Sequence, residues 1–110
     1  MCALTCRSFL HVTLVPQVGS GEQKTKPTQH AVRALRSTGI NPDILVCRSQ
    51  RVITPESKAK LALHCQVAEE NLITVADVSN IYHVPLLLDE QNVAQRVAEA
   101  VRTCTAACSE

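Results

Sequence analysis

Lys24 and Lys26 lie two apart, with Thr25, Thr28, Gln29 and His30 in the same seven-residue stretch. Ammonium groups are compact cations that attract oxyanions, and hydroxyl and amide side chains add neutral hydrogen-bond partners. The apolar run Phe9 to Val15 precedes this stretch and a helical pattern from about Gln29 follows it, so the stretch is a strand-to-helix crossing. α/β folds bind anions at such crossings, because the first N–H groups of a helix are unpaired and point out of its end. Pro27 fixes its own φ and is expected to hold Lys26 extended. The same residues also make an ordinary solvated loop with a capping threonine, and spacing alone does not separate the two readings.

Other chemistry-bearing residues are scattered. Lys60 follows the second strand-like run on a helix, next to an apolar Leu61. It reads as a solvent-facing lysine unless the first loop folds over beside it. His11, His30, His64 and His83 share no metal-ligand spacing. Cys65 and His64 are neighbours on one helix, and adjacent helical residues point apart, which argues against a nucleophile pair. Asp43, Asp77 and Asp89 fall one to a loop, and Asp77 at a strand end is a turn residue or a ligand support.

The elements that position these residues follow from composition and periodicity. The chain has 110 residues, 45% hydrophobic and 19% charged, which suits one small globular domain or a piece of a larger one. Aromatic content is 2%, so Val, Leu, Ile and Ala must build the core. A formal net charge of +1 gives no global basic field and excludes a nucleic-acid partner read by bulk charge. No apolar stretch approaches the ~20 residues of a membrane span. Six cysteines are present. Cys47 and Cys65 lie on apolar faces and read as reduced core thiols of a cytoplasmic protein. The terminal pairs, Cys2/Cys6 and Cys104/Cys108, have a spacing unlike that of zinc or redox sites.

Phe9 to Val15 reads as a strand, Gln17 to Gln23 as a flexible loop, and Gln29 to Thr38 as a helix capped by Thr28 and stopped by Gly39. Ala31, Val32 and Leu35 form its apolar stripe, with Arg33 and Arg36 outward. Ile44 to Cys47 is apolar throughout, as for a strand buried on both faces. Thr54-Pro55 starts a second helix that buries Leu61 and Cys65. Asn71 to Val75 is a third strand, Ala76 to Asn80 a strand-end loop, Val84 to Leu88 a short helix, and Asn92 caps a last helix through Val101. The order β-α-β-α-β-α-α with right-handed crossovers predicts an α/β fold, a partial three-layer parallel sheet with flanking helices. Ligands are expected at the carboxyl ends of its strands. No Walker A or G-x-G-x-x-G pattern occurs, so the usual glycine-rich phosphate cradle is not on this chain.

The run Gly21-Glu22-Gln23-Lys24-Thr25-Lys26-Pro27-Thr28-Gln29-His30 closely resembles the uridine-nucleotide segment of the CTP synthase family. Pro42 to Ser49, Lys60 to Cys65 and Asp77 to Leu88 resemble the segments that follow it, in register, so the resemblance spans about residues 9–92. Segments 1–8 and 93–110 are read as an irregular N-terminal segment and a divergent helical tail. The family departs from this chain at Ala76, where a basic residue or His is expected, at Ala31 and Ala34, usually polar or acidic, and at His64, where an aromatic is common.

The resemblance implies a P-loop/dethiobiotin-synthetase-like amidoligase fragment without the P-loop, namely the C-terminal part of that domain. It implies a cytoplasmic ligase that phosphorylates the 4-oxygen of UTP with ATP and Mg²⁺, then aminates it to CTP with ammonia released from glutamine by a glutaminase domain. Lys24, Thr25, Lys26, Pro27, Thr28, Gln29 and Lys60 would bind UTP and the inhibitor CTP. Asp77 and Val78 would contact ATP, Val78 through its backbone. The Mg²⁺ ligands and the glutaminase cysteine are expected on sequence outside this chain, and the family assembles as a homo-tetramer. The chain by itself is therefore expected to be inactive. The alternative expectation is a truncated, catalytically inactive paralogue that binds nucleotide or associates with a complete synthase.

Overall fold

Ile44, Leu45, Val46 and Cys47 offer apolar side chains to both sides of an extended backbone, so this segment is stable only where both of its faces are covered. In the computed structural model, which describes residues 7–19 and 21–108 and side chains through 101, it is the central strand. The sheet has three parallel strands, β1 (Leu10–Leu14), β4 (Ile44–Ser49) and β5 (Leu72–Ala76), in the order β1-β4-β5. Leu10 registers with Ile44 and Val46 with Ile73. Helices α1 (Lys26–Ser37) and α2 (Pro55–Cys65) cover one face, while α3 (Val84–Glu90) and α4 (Val93–Cys108) lie on the other. The predicted α/β class and parallel sheet with flanking helices are present.

The first face carries the larger core. Val15, Val32, Leu45, Leu61, Cys65 and Leu72 are buried there at 0–1% exposure. On the second face Ile44, Val46, Ile73 and Val75 pack against Val84, Leu87, Leu88, Val93 and Val97. That cover stops short of β1, whose Leu10, Val12 and Leu14 remain 45%, 55% and 62% exposed.

Local chemistry sets the boundaries. Thr54 has the extended backbone of an N-cap, and its hydroxyl accepts from the Ser57 N–H at 3.2 Å, with Pro55 next in the first turn. Gly39 has φ +91°, and its N–H donates to the Arg36 carbonyl at 2.9 Å, closing α1 as the sequence implies. Asp43 receives the Phe9 N–H on its carboxylate at 2.8 Å, tying the start of β4 to that of β1.

Several expectations are corrected. α1 begins at Lys26, not Gln29, because Pro27 lacks only an N–H that the first turn leaves unpaired anyway. Lys26 is thus helical rather than extended, and Thr25 rather than Thr28 precedes the helix. Arg36 does not face outward: its guanidinium donates to the Cys65 carbonyl at the end of α2, a terminus rich in unpaired acceptors. The expected loop at 17–23 contains a short antiparallel pair, β2 (Gln17–Val18) with β3 (Glu22–Gln23). The third strand is shifted one residue, to Leu72–Ala76, after a 3-10 turn at Glu69–Asn71. Asn92 has φ +57° and serves the last helix with its backbone carbonyl, which accepts from the Arg96 N–H at 3.0 Å. That helix runs on to Cys108.

At the outer edge of β5 a side chain does the work of a missing strand. The Gln91 amide accepts from the Thr74 N–H at 2.8 Å and donates to the Thr74 carbonyl at 2.7 Å and the Leu87 carbonyl at 3.0 Å. One glutamine therefore satisfies both backbone groups of Thr74 on the side away from β4.

Candidate functional site

The β2–β3 hairpin and the first turn of α1 stand against the start of α2, and a polar cavity of about 360 Å³ opens between them. One wall is Gly21, Glu22, Gln23 and Thr25, and the other is Thr54, Glu56, Ser57 and Lys60. Both walls lie beyond the carboxyl ends of parallel strands, where open α/β sheets collect ligands. The hairpin comes down on the α2 side because Gln23 reaches across. Its Nε2 donates to the Val52 carbonyl at 3.2 Å and the Arg51 carbonyl at 3.5 Å, and its Oε1 accepts from the Thr54 N–H at 3.2 Å.

The residues expected to form a site are divided by the fold. Thr25 and Lys60 face the same cavity, so the first loop does fold over beside Lys60. Lys24 is half-exposed and pairs through Nζ with the Glu22 carboxylate at 3.4 Å. Lys26 and Pro27 are exposed in the first turn of α1, outside the cavity lining. Thr28 turns inward instead. It is fully buried, and its hydroxyl donates to the Leu14 carbonyl at 3.4 Å beside Thr13 Oγ1 at the same distance. Its physical task is to fasten the helix start to the end of β1. Gln29 donates from Nε2 to Thr25 Oγ1 at 3.3 Å, closing the first turn.

Asp77 and Val78 lie elsewhere. With Arg48, Ala76 and Ile81 they line the upper end of an apolar groove of about 650 Å³ on the α3 side. Its floor is Leu10 and Val12 on the uncovered face of β1, with the buried Val46 of β4 beside them. The Asp77 N–H donates to the Ser49 carbonyl at 3.0 Å, which carries the β4–β5 pairing one step past the strand.

Sequence reasoning assigned no role to Glu22, Gln23, Glu56, Ser57 or Arg48. Thr54 carried a signal, with Pro55, as a helix start, but that signal gives no direction toward the hairpin. Gln23 had none, because its partners lie about thirty residues away.

The described cysteines are structural. Cys47 and Cys65 are free and buried. Burial, reinforced by the neighbouring Cys65 and opposed by Lys58, pushes the Cys47 thiol up to about 12. Burial also raises Cys65, against the pull of Arg36. Both stay protonated at neutral pH, and His64 is exposed while Cys65 is buried, so the adjacent pair is no nucleophile. The Cys2/Cys6 pair and the side chains of Cys104 and Cys108 lie outside the described residues. Among the described residues no three His, Cys, Asp or Glu side chains converge on a point that could hold a metal ion. No helix among them is long and apolar enough to cross a membrane.

Residues 4–103 match the family model described as CTP synthase N-terminus. A CTP synthase of Dictyostelium discoideum is 54% identical over 90 residues, covering 81% of this chain and 16% of its own length. A CTP synthase of Haloarcula hispanica is 49% identical over 102 residues, covering 93% of this chain and 18% of its own length. The chain thus spans about a sixth of the length of these curated relatives.

Proposed function

Since this chain belongs to the CTP synthase family, we propose that its cavity between the hairpin and α2 holds the phosphate chain of UTP, and of CTP, in the ATP-dependent amination of UTP to CTP. The observation that carries this reading is the convergence of Lys60 with the Thr25 turn on one polar cavity. A phosphate chain there meets an ammonium group on α2, the hydroxyls of Thr54 and Ser57, and the Thr25 turn ahead of α1. Lys24 and Lys26 flank the same turn and add positive charge at its rim. Lysine suits this role because it is a point charge on a flexible stem and accommodates a phosphate from several directions.

Thr28 and Gln29 act indirectly, by holding the helix start that carries the Thr25 turn. Asp77 and Val78 belong to the ATP side of the reaction, at the upper end of the groove. Mg²⁺ bound with the phosphates would offset their charge. The protein's part within this chain is binding and orientation of the pyrimidine nucleotide. Ammonia from glutamine, released by a glutaminase domain, a cytoplasmic location and assembly as a homo-tetramer belong to the same proposal. This chain by itself is then inactive in CTP formation, because phosphoryl transfer depends on a phosphate cradle and metal ligands.

A second reading is a catalytically inactive, truncated paralogue that binds nucleotide while associated with a complete synthase. The uncovered apolar face of Leu10, Val12 and Leu14 favours it, since such a face is stable when other protein lies on it. Calorimetric titration with UTP tests the main reading. Lys60→Ala is expected to weaken UTP binding at least tenfold, and an unchanged affinity overturns the assignment of this cavity. Formation of CTP from ATP, UTP and ammonia by the purified 110-residue chain would overturn the inactivity.

A further inference from the structure

Gln23 stands between the two halves of the cavity. Its backbone pairs with Gln17 in the hairpin, and the next residues lead directly into the Thr25 turn. Its side chain crosses to the loop ahead of α2, donating to Val52 and Arg51 carbonyls and accepting from Thr54. Among the described residues, these are the hydrogen bonds that join the hairpin to that loop. Thr54 is also the N-cap of α2, so the residue Gln23 grips is the one that fixes where the helix of Lys60 begins.

We infer that Gln23 is a positioning residue: it sets the width of the cavity and thereby selects a nucleoside triphosphate, whose phosphate chain reaches both walls, over a monophosphate, which meets only one. The inference rests on the proposed nucleotide reading of this cavity. The amide donates to the Val52 and Arg51 carbonyls and accepts from the Thr54 N–H at once, because its NH₂ donates while its oxygen accepts. With the latch in place the Thr25 turn and Lys60 keep a fixed separation, and a ligand binding both loses little freedom in the protein. Without it each wall still attracts phosphate, but a ligand must hold the walls together itself. The selectivity belongs to the spacing and not to the charge, since Gln23 is neutral.

Gln23→Met tests this directly, because it keeps the bulk and the neutrality and removes all three hydrogen bonds. Titration of the 110-residue chain with UTP and with UMP is expected to show UTP affinity lowered about tenfold and UMP affinity unchanged. A purely structural role would shift the thermal transition and leave the UTP-to-UMP ratio where it was. An unchanged ratio in a variant that still binds UTP overturns the inference and leaves the UTP assignment standing. A wild-type chain that binds neither nucleotide overturns both. Hydrogen exchange at the Thr54 amide checks the latch without any ligand: it is expected to be at least tenfold faster in Gln23→Met, and equal rates overturn the latch. Gln23→Asn, whose shorter arm falls short of the loop, carries the same expectations if the methionine variant does not fold.

Discussion

Glu22 is one of two carboxylates on the cavity wall that an anion would meet, the other being Glu56. Glu22 holds Lys24 Nζ at 3.4 Å. Glu22→Gln removes one negative charge and releases one ammonium group without changing size. The two side chains are 66% and 47% exposed, so the pair contributes at most about 1 kcal/mol to stability, and the thermal transition should barely move. The effect on an anion is larger. Two unit charges about 8 Å apart in water interact by about 0.5 kcal/mol, and one Debye length of salt cuts this to about 0.2 kcal/mol. A triphosphate multiplies that value by its several charges, which gives a gain of roughly three- to fivefold in affinity. Calorimetric titration with UTP at about 0.15 M ionic strength, where the Debye length is about 8 Å, is expected to show this gain, and lower salt should enlarge it. In about 1 M salt, where the Debye length is about 3 Å, wild type and variant should converge. If Glu22→Gln binds UTP no better in low salt, or binds it more weakly, the electrostatic account of the cavity fails.

Three further outcomes follow from local geometry. Thr54→Ala removes the hydroxyl that caps α2 through the Ser57 N–H, and should cost about 1 kcal/mol, read as a fall of roughly 4–8 °C in a thermal melt. The folded chain holds the Cys47 proton up to about 12 while an unperturbed thiol releases it near 9.0. The unfolded state therefore binds fewer protons within that window, and stability should be full below pH 9 and fall as pH rises toward 12, as urea denaturation at pH 8 and pH 10 will show. Gln91→Leu strips Thr74 of both its side-chain partners and should destabilise the chain by about 1–3 kcal/mol, measured by urea denaturation.

The buried centre of this molecule is legible in its sequence because burial leaves a compositional mark. Ile44 to Cys47 can be nothing but a covered strand, and Thr54-Pro55 marks the start of α2 by two independent preferences. Thr28 misleads because the same hydroxyl that suits a cap also suits a bond to a neighbouring strand, here the Leu14 carbonyl. The β2–β3 pair is invisible to periodicity, having two residues on each side. The lysines of the candidate site suit an anion by type, though the same residues suit an ordinary solvated loop. What joins them to Lys60 is the reach of Gln23 across the fold, and a contact between segments so far apart in the chain has no local signature.

The amide of Gln91 on Thr74 gives the sheet a direction. Thr74 is the middle residue of β5, and both of its outward groups are already spoken for by a side chain that is also anchored to the Leu87 carbonyl. A strand arriving there would have to break these bonds before making its own. Across the sheet, among the described residues, β1 has a neighbour on one side and carries the exposed Leu10, Val12 and Leu14. The two edges of the ladder therefore differ, with a side chain occupying the middle of one of them. A strand joining this sheet edge to edge meets a side chain to displace at Thr74 of β5 and, among the described residues, none that holds both backbone groups of a residue in β1.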